Sequence, residues 1–340
     1  FAEAFYNLGV ALAEQSKLQD AMSAYKKAIA LTPDYVEVYI NMGNILESQG
    51  KLDDAIAAYS EAIFLKPDYA EAHNNMGNVL GNQGKFEQAI KAYDAAFGMN
   101  ADFFSAYSSA AHLRAKICNW RADEQKLIDD YVSKGLKTTL EHPLIPFQNL
   151  HVEDSPKNHL DLAKIFASAT TKIAEPYLFR KSPSKPKKLR VGYFSPDFNN
   201  HPVAQMVEGV LRHHDRNKFE IFAYSFVNKA DHQMRDKVVN AVDHFRDVQL
   251  IGISELTSLA RNDQIDIAID LAGYTKNNRA EIFKHRVAPI QINYLGYPGT
   301  MGANYIDYII ADKILISKDM EKFYSENIIF SFFSPAYDHI

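Results

Sequence analysis

His201, Asp270 and two glycine- and hydroxyl-bearing segments are the residues whose type and setting could do chemistry in this chain. His201 lies in SPDFNNHPVAQ, after an apolar stretch and before Pro202, with Asn200 as the expected N-cap of a following helix. At a helix N-terminus the dipole disfavours imidazolium, and a neutral ring there could act as a base or orient a hydroxyl. The alternative is a capping or packing histidine. Asp270 ends a second apolar stretch in DLAGYTKNNR, where Gly273 permits a tight turn and Tyr274, Thr275 and Lys276 add polar groups. Its carboxylate could hold a catalytic water or a sugar hydroxyl, or could tie up loop amides. In LGYPGTMGANYIDYII, Gly296, Pro298, Gly299 and Gly302 bring backbone close to whatever is bound. Asn7, Asn41 and Asn75 form a ladder of another kind, spaced by 34 residues. Amides offer donor and acceptor, so the ladder could clamp a peptide backbone, or it could face solvent or bond the neighbouring repeat.

The elements that must position these groups fall into two patterns. Gly9, Gly43 and Gly77 recur every 34 residues, as do Ala21, Ala55 and Ala89, Tyr25, Tyr59 and Tyr93, and Ala28, Ala62 and Ala96. Each unit reads as two amphipathic helices broken in the middle at QSK, SQGK or NQGK, with Pro33 and Pro67 closing the first two. The array is similar to the tetratricopeptide repeat; a fourth, degenerate unit is expected near Ser105, with Ala111 at the glycine position. Such arrays stack into a superhelix whose concave face binds extended peptides. Residues 1–116 are therefore assigned to repeats and 117–186 to a helical connector, with Ile128, Val132 and Leu136 on one helix face. RKSPSKPKKLR follows, either a solvated linker or an anion-binding patch.

Over 187–340 apolar strands alternate with helices: LRVGYFS, FEIFAYSF, IDIAIDLA, IQINYLGY and YIIADKILI, interleaved with HPVAQMVEGVLRHH, ADHQMRDKVVNAV, ISELTSLARNDQ and NRAEIFKHRV. That alternation predicts a parallel, doubly wound sheet, whose ligands sit outside the carboxyl ends of its strands. GxGxxG and Walker patterns are missing, and no His/Asp/Glu set has metal-ligand spacing. The 37 Lys plus Arg against 42 Asp plus Glu give a net charge of −5, which argues against nucleic acid as main partner. One cysteine, Cys118, excludes an internal disulfide framework and suits a reducing compartment; with no membrane-spanning run or export signal, the expected location is cytoplasmic.

The segments LRVGYFSPDFNNHPVAQ, KFEIFAYSF, DLAGYTKNNRAEIF and APIQINYLGYPGTMGANYIDYIIAD, behind tetratricopeptide-like repeats, resemble the protein O-linked N-acetylglucosamine transferase family, glycosyltransferase family 41, which includes the SPINDLY-type enzymes. The resemblance implies a repeat superhelix joined to a two-lobed GT-B catalytic region with Rossmann-like lobes. It implies inverting, metal-independent transfer of N-acetylglucosamine from UDP-N-acetylglucosamine to Ser or Thr hydroxyls of proteins held in the superhelix, with no cofactor. His201 matches a histidine implicated at the family's active site, and Asp270, Tyr274, Thr275 and Pro298–Gly299–Thr300 match segments lining the same cleft. His201 is expected to orient or handle a proton, Asp270 to contact loop or sugar. The Asn ladder matches the family's mode of holding acceptor peptides. About 154 residues from Lys187 onward suffice for one lobe, so the donor-binding lobe is expected to be missing, the chain to begin within a longer protein at Phe1, and the isolated chain to be inactive. A GDP-fucose donor, or a catalytically dead peptide-binding scaffold, remain the alternatives.

Overall fold

The computed structural model describes residues 1–15, 17–119, 124–135, 143–150, 154–169, 188–227 and 232–331. It divides into two compact units, Phe1–Glu153 and Asp154–Ile340. The first unit is a run of antiparallel helix pairs: α1 (Ala2–Glu14) with α2 (Leu18–Leu31), α3 (Val36–Ser48) with α4 (Leu52–Leu65), and α5 (Ala70–Asn82) with α6 (Phe86–Met99). The repeated alanines and tyrosines are its core. Ala21, Ala28, Ala55, Tyr59, Ala62, Ala89 and Ala96 are all fully buried.

The repeated glycine makes room for the repeated tyrosine. A Cβ on Gly9, Gly43 or Gly77 would lie 2.3, 2.4 or 2.7 Å from the ring of Tyr25, Tyr59 or Tyr93 on the partner helix. The punctuation between helices is a Schellman motif. Gly50 and Gly84 take φ of +75° and +76°, and the amides of Lys51 and Lys85 bond back to the carbonyls of Leu46 and Leu80 at 2.9 Å. A fourth pair, α7 (Phe104–Lys116) and α8 (Glu124–Gly135), packs through Phe104 against Tyr131, with Ala111 buried in the glycine position. Ile128 and Val132 are buried on α8 as expected, while Leu136 lies outside the described residues.

The division into units falls inside the expected connector. Short α9 (Pro146–Asn149) belongs to the repeats, because the Asn149 amide donates to Ser108 Oγ on α7 at 3.0 Å. Helix α10 (Pro156–Ala169) belongs to the second unit, where Phe166 packs edge-on to Tyr274 and Lys284 Nζ donates to the Ala167 carbonyl. Of the basic segment, Lys188, Leu189 and Arg190 are described; residues 180–187 lie outside the described residues.

Among the described residues, the second unit holds a parallel sheet of seven strands in the order β3-β2-β1-β4-β5-β6-β7. In chain order its elements are β1 (Leu189–Ser195), α11 (Pro202–His213), β2 (Phe219–Ser225), α12 (His232–Asn240), β3 (His244–Asp247), α13 (Ile253–Asn262), β4 (Ile267–Asp270), α14 (Glu281–Lys284), β5 (Ile290–Tyr294), β6 (Tyr308–Ala311) and β7 (Asn327–Phe330). On one face Val191, Tyr193, Ile221, Ile269 and Ile292 meet Val203, Val207 and Leu211 of α11. On the other, Phe194 stacks on Tyr224 with centroids 4.3 Å apart, and Phe283 of α14 packs edge-on to Phe194.

Strands β3 and β7 escape the sequence reading because they lie at the sheet edges, where HFRD and NIIF are only partly buried and lack the apolar pattern of the central strands. YIIADKILI is not one strand. Asp312 Oδ1 accepts from the amides of Ile314 and Leu315, at 2.8 and 2.7 Å, and folds the chain into a turn that leaves both side chains exposed. Among the described residues, no helix is long and apolar enough to cross a membrane.

Candidate functional site

Strand β1 lies between β2 and β4, so the strand order reverses beside it and the loops after β1 and β4 flank the topological switch point. The loop after β1 carries His201. Contrary to the sequence expectation, His201 itself, not Asn200, is the N-cap of α11, with φ −138° and ψ 146°. Pro202 occupies the first turn, and His201 Nδ1 accepts from the Val203 amide at 3.3 Å. With Nδ1 accepting, the neutral ring carries its proton on Nε2. The side chain is 44% exposed, so that N–H is available to a ligand oxygen. Asp197 Oδ2 stands 3.6 Å from Nδ1. Sequence reasoning did not single out Asp197. The loop braces itself, with Asn199 Nδ2 donating to the Pro196 carbonyl and the Asp197 amide donating to Ser195 Oγ.

Asp270 ends β4 as expected, but its carboxyl does not face solvent. It is 1% exposed, and Oδ1 accepts from the Ala272 amide at 2.9 Å. Of the roles open to it, this geometry favours tying up loop amides. Burial pushes its pKa up to about 6, against the opposing effect of the Ala272 and Gly273 amides. Side chains alternate along β4, so Asp270 points to the face opposite the one that α11 covers with Ile269. His201 and Asp270 therefore share the carboxyl edge of the sheet without sharing a face.

The loops after β4 and β5 interlock. Gly273 has φ +54°, and a Cβ there would lie 2.5 Å from that of Tyr297. The buried Tyr274 hydroxyl donates to the Met301 carbonyl at 2.7 Å, and burial holds its pKa well above the ordinary phenol value. Thr275 Oγ1 donates to the Ala272 carbonyl, while Lys276 is exposed. Gly296 passes so close to Leu271 that a Cβ would sit 2.0 Å from its carbonyl oxygen. Leu295 before it takes φ +70°, a left-handed conformation that costs a non-glycine residue about 1–3 kcal/mol. Strain of this kind collects at functional sites.

The Pro298–Gly299–Thr300 segment is held from below. Tyr324 donates to the Pro298 carbonyl at 2.9 Å. The buried Thr300 hydroxyl donates to Glu326 Oε2 at 2.7 Å, and Glu326 Oε1 accepts from the Met301 amide. Burial raises the Glu326 pKa. Neither Glu326 nor Asn293, fully buried on β5 and donating to the Tyr297 carbonyl at 3.1 Å, was found from sequence. For Asn293 there was a signal: Gln291 and Asn293 alternate as polar residues in a strand with no solvent-facing side.

In the repeats the Asn ladder is built into the stack. Asn41 is hydrogen-bonded to Tyr25 of the preceding unit. Asn75 Nδ2 donates to Asn44 Oδ1 at 3.1 Å, and its Oδ1 accepts from Asn74. Asn7 is exposed. A second pair, Asn44 and Asn78, accepts from the Tyr59 and Tyr93 hydroxyls at 2.7 and 2.8 Å.

The family model for glycosyl transferase family 41 matches residues 155–337, more than half of the chain. Repeat models match 11–50, 43–84 and 70–103. The chain is 30% identical over 231 residues to the probable UDP-N-acetylglucosamine–peptide N-acetylglucosaminyltransferase SEC of Arabidopsis thaliana, covering 64% of this chain and 24% of that protein. It is 37% identical over 145 residues to the Caenorhabditis elegans UDP-N-acetylglucosamine–peptide N-acetylglucosaminyltransferase, covering 42% of this chain and 13% of that one. The chain thus spans a quarter or less of the length of these relatives. A solved structure of a Thermobaculum terrenum O-GlcNAc transferase mutant aligns over 97% of this chain and 57% of its own, with a TM-score of 0.58 at 24% identity, and so shares the fold. The chain belongs to glycosyl transferase family 41.

Proposed function

We propose that this chain forms the acceptor side of a protein O-glycosyltransferase centre. The centre moves N-acetylglucosamine from UDP-N-acetylglucosamine to Ser or Thr hydroxyls with inversion, using neither metal nor cofactor, on polypeptides gathered by the repeats. The observation that carries this reading is His201 at the switch point, half-exposed as the N-cap of α11 with its Nδ1 occupied by the Val203 amide. Transfer needs an acceptor hydroxyl held at the anomeric carbon, an exit for its proton and stabilisation of the leaving diphosphate. In the tautomer set by the Val203 amide, His201 donates to the acceptor oxygen and orients it. That makes it an orienting group rather than the base. Tyr274 and Glu326 act on the site by fixing the loops that line it. Peptide binding by Asn41 and Asn75 requires their amides to exchange bonds within the stack for bonds to the peptide.

The test supplies labelled UDP-N-acetylglucosamine or GDP-fucose, with a Ser/Thr peptide, to the gene product. Transfer from the first is expected. Transfer from GDP-fucose alone would change the donor, and transfer from neither would leave a peptide-binding scaffold. His201→Ala should lower turnover by about 10²-fold with peptide affinity unchanged. Wild-type turnover in that variant would reduce His201 to a helix cap.

A further inference from the structure

Across the carboxyl edge of the sheet, the face that Phe194 and Asp270 share presents Tyr224, Phe194, Asp270, Asn293, Ile309 and Ile328, each in register with the next. Asp270 therefore has a phenyl ring on one side and the Asn293 amide on the other, with strands about 4.8 Å apart. Both side chains are buried, and each has one oxygen with no hydrogen-bond partner: Asp270 Oδ2 and Asn293 Oδ1. Asn293 cannot resolve this by turning over. Its Nδ2 donates to the Tyr297 carbonyl, and a flipped amide would set oxygen against oxygen. Two buried acceptors side by side, each otherwise committed, lack one proton between them.

We propose that Asp270 is a protonated acid at neutral pH, donating from Oδ2 to Asn293 Oδ1, so that the pair fastens the loop after β4 to the loop after β5. One end of the pair holds the Ala272 amide and the other the Tyr297 carbonyl, so Asp270 and Asn293 are positioning residues for both loops. Burial, working against the Ala272 and Gly273 amides, brings the carboxyl to about 6, and the hydrogen bond given by the neutral form carries it past neutrality.

Tyr305 is coupled electrostatically to Asp270, and burial pushes its pKa up to about 12, so it stays neutral. Of the cations on the elements over this face, Arg279 binds the Val248 and Ile251 carbonyls, Lys284 that of Ala167, and Arg261 those of His285 and Arg286, while Lys157 pairs with Asp161 and Lys164 is exposed. Of the carboxylates there, Glu326 is bound by Thr300 and Met301, Asp161 by Lys157, and Glu255 and Glu281 are exposed.

Asp270→Asn tests this without assuming any activity. Its amide can accept from Ala272 and donate to Asn293 at every pH, so the variant should fold. An Asp that keeps its proton in the folded state and loses it near 3.8 when unfolded weakens the fold as pH rises through that window. The variant should therefore gain on wild type between pH 4 and pH 6, by on the order of 100-fold in the folded-to-unfolded ratio, read from urea midpoints. Infrared spectra at neutral pH should show a protonated-carboxyl band in wild type that Asp270→Asn lacks and Asn293→Leu shifts. A variant that does not fold, a pH-independent difference, or a band missing or unmoved by Asn293→Leu would each overturn the proposal.

Discussion

The repeat unit and the sheet unit are held together in opposite ways. In the repeats one contact, glycine against tyrosine, occurs at Gly9–Tyr25, Gly43–Tyr59 and Gly77–Tyr93, always between neighbouring helices. In the sheet unit the decisive contacts occur once each and join distant parts of the chain: Gly296 against Leu271, Thr300 with Glu326, Tyr274 with Met301. A repeated local contact tolerates the loss of one copy, because each unit leans on its neighbours. A unique long-range contact has no second copy. The sheet unit should therefore be more vulnerable to single substitutions at its loops than the array is at its helices.

Gly296→Ala is the harshest test of that difference. Its Cβ would meet the Leu271 carbonyl oxygen, and backbone cannot step aside as a side-chain tip can. We expect a loss of at least ~3 kcal/mol from the sheet unit. Limited proteolysis of the intact chain should then cut within 188–331 while the helical repeats stay protected. Protection of both regions would show that the interlocked loops are less constrained than their close approach implies.

Gly43→Ala should cost less, about 1–3 kcal/mol, the ordinary range for overpacking a core. The added methyl would push on the Tyr59 ring, which is fully buried between helices and has to shift with them. Gly9→Ala and Gly77→Ala create the same clash against Tyr25 and Tyr93, and each should lower the thermal midpoint by a similar amount. A loss confined to one of the three positions would contradict the view of the array as one contact repeated in every unit.

What could be read from the sequence follows the same divide. Three copies in register reveal the repeats and the glycine–tyrosine pairs, and the alternation of apolar runs with helices reveals the parallel sheet. His201 and Asp270 were legible as groups at strand ends, because an open sheet presents its loops there. The detail was not. That His201 caps its own helix depends on a single pair of backbone angles. That Asp270 points inward depends on β4 ending one residue before a tight turn, and that Glu326 holds Thr300 depends on contacts 26 residues apart in the chain. Edge strands β3 and β7 are only partly buried and lack the apolar run that marks the central strands, and Asp312 turns an apolar run into a loop with one carboxylate oxygen.

The mildest test touches the stack's polar side. Tyr59→Phe removes the hydroxyl that donates to Asn44 Oδ1 and leaves the ring against Gly43. Asn44 is exposed, so water can replace the lost donor, and the cost should fall near 0.5–1 kcal/mol. Burial, together with Glu47, holds the Tyr59 pKa far above the usual phenol range, so the hydroxyl remains protonated in the folded state. The difference in urea midpoint between Tyr59→Phe and wild type should therefore be the same at pH 6 and pH 8. A loss as large as that of Gly43→Ala would mean that the tyrosine–asparagine bonds, and not the packing of ring on glycine, hold successive helices together, and the contrast between the two units would need to be redrawn around polar contacts.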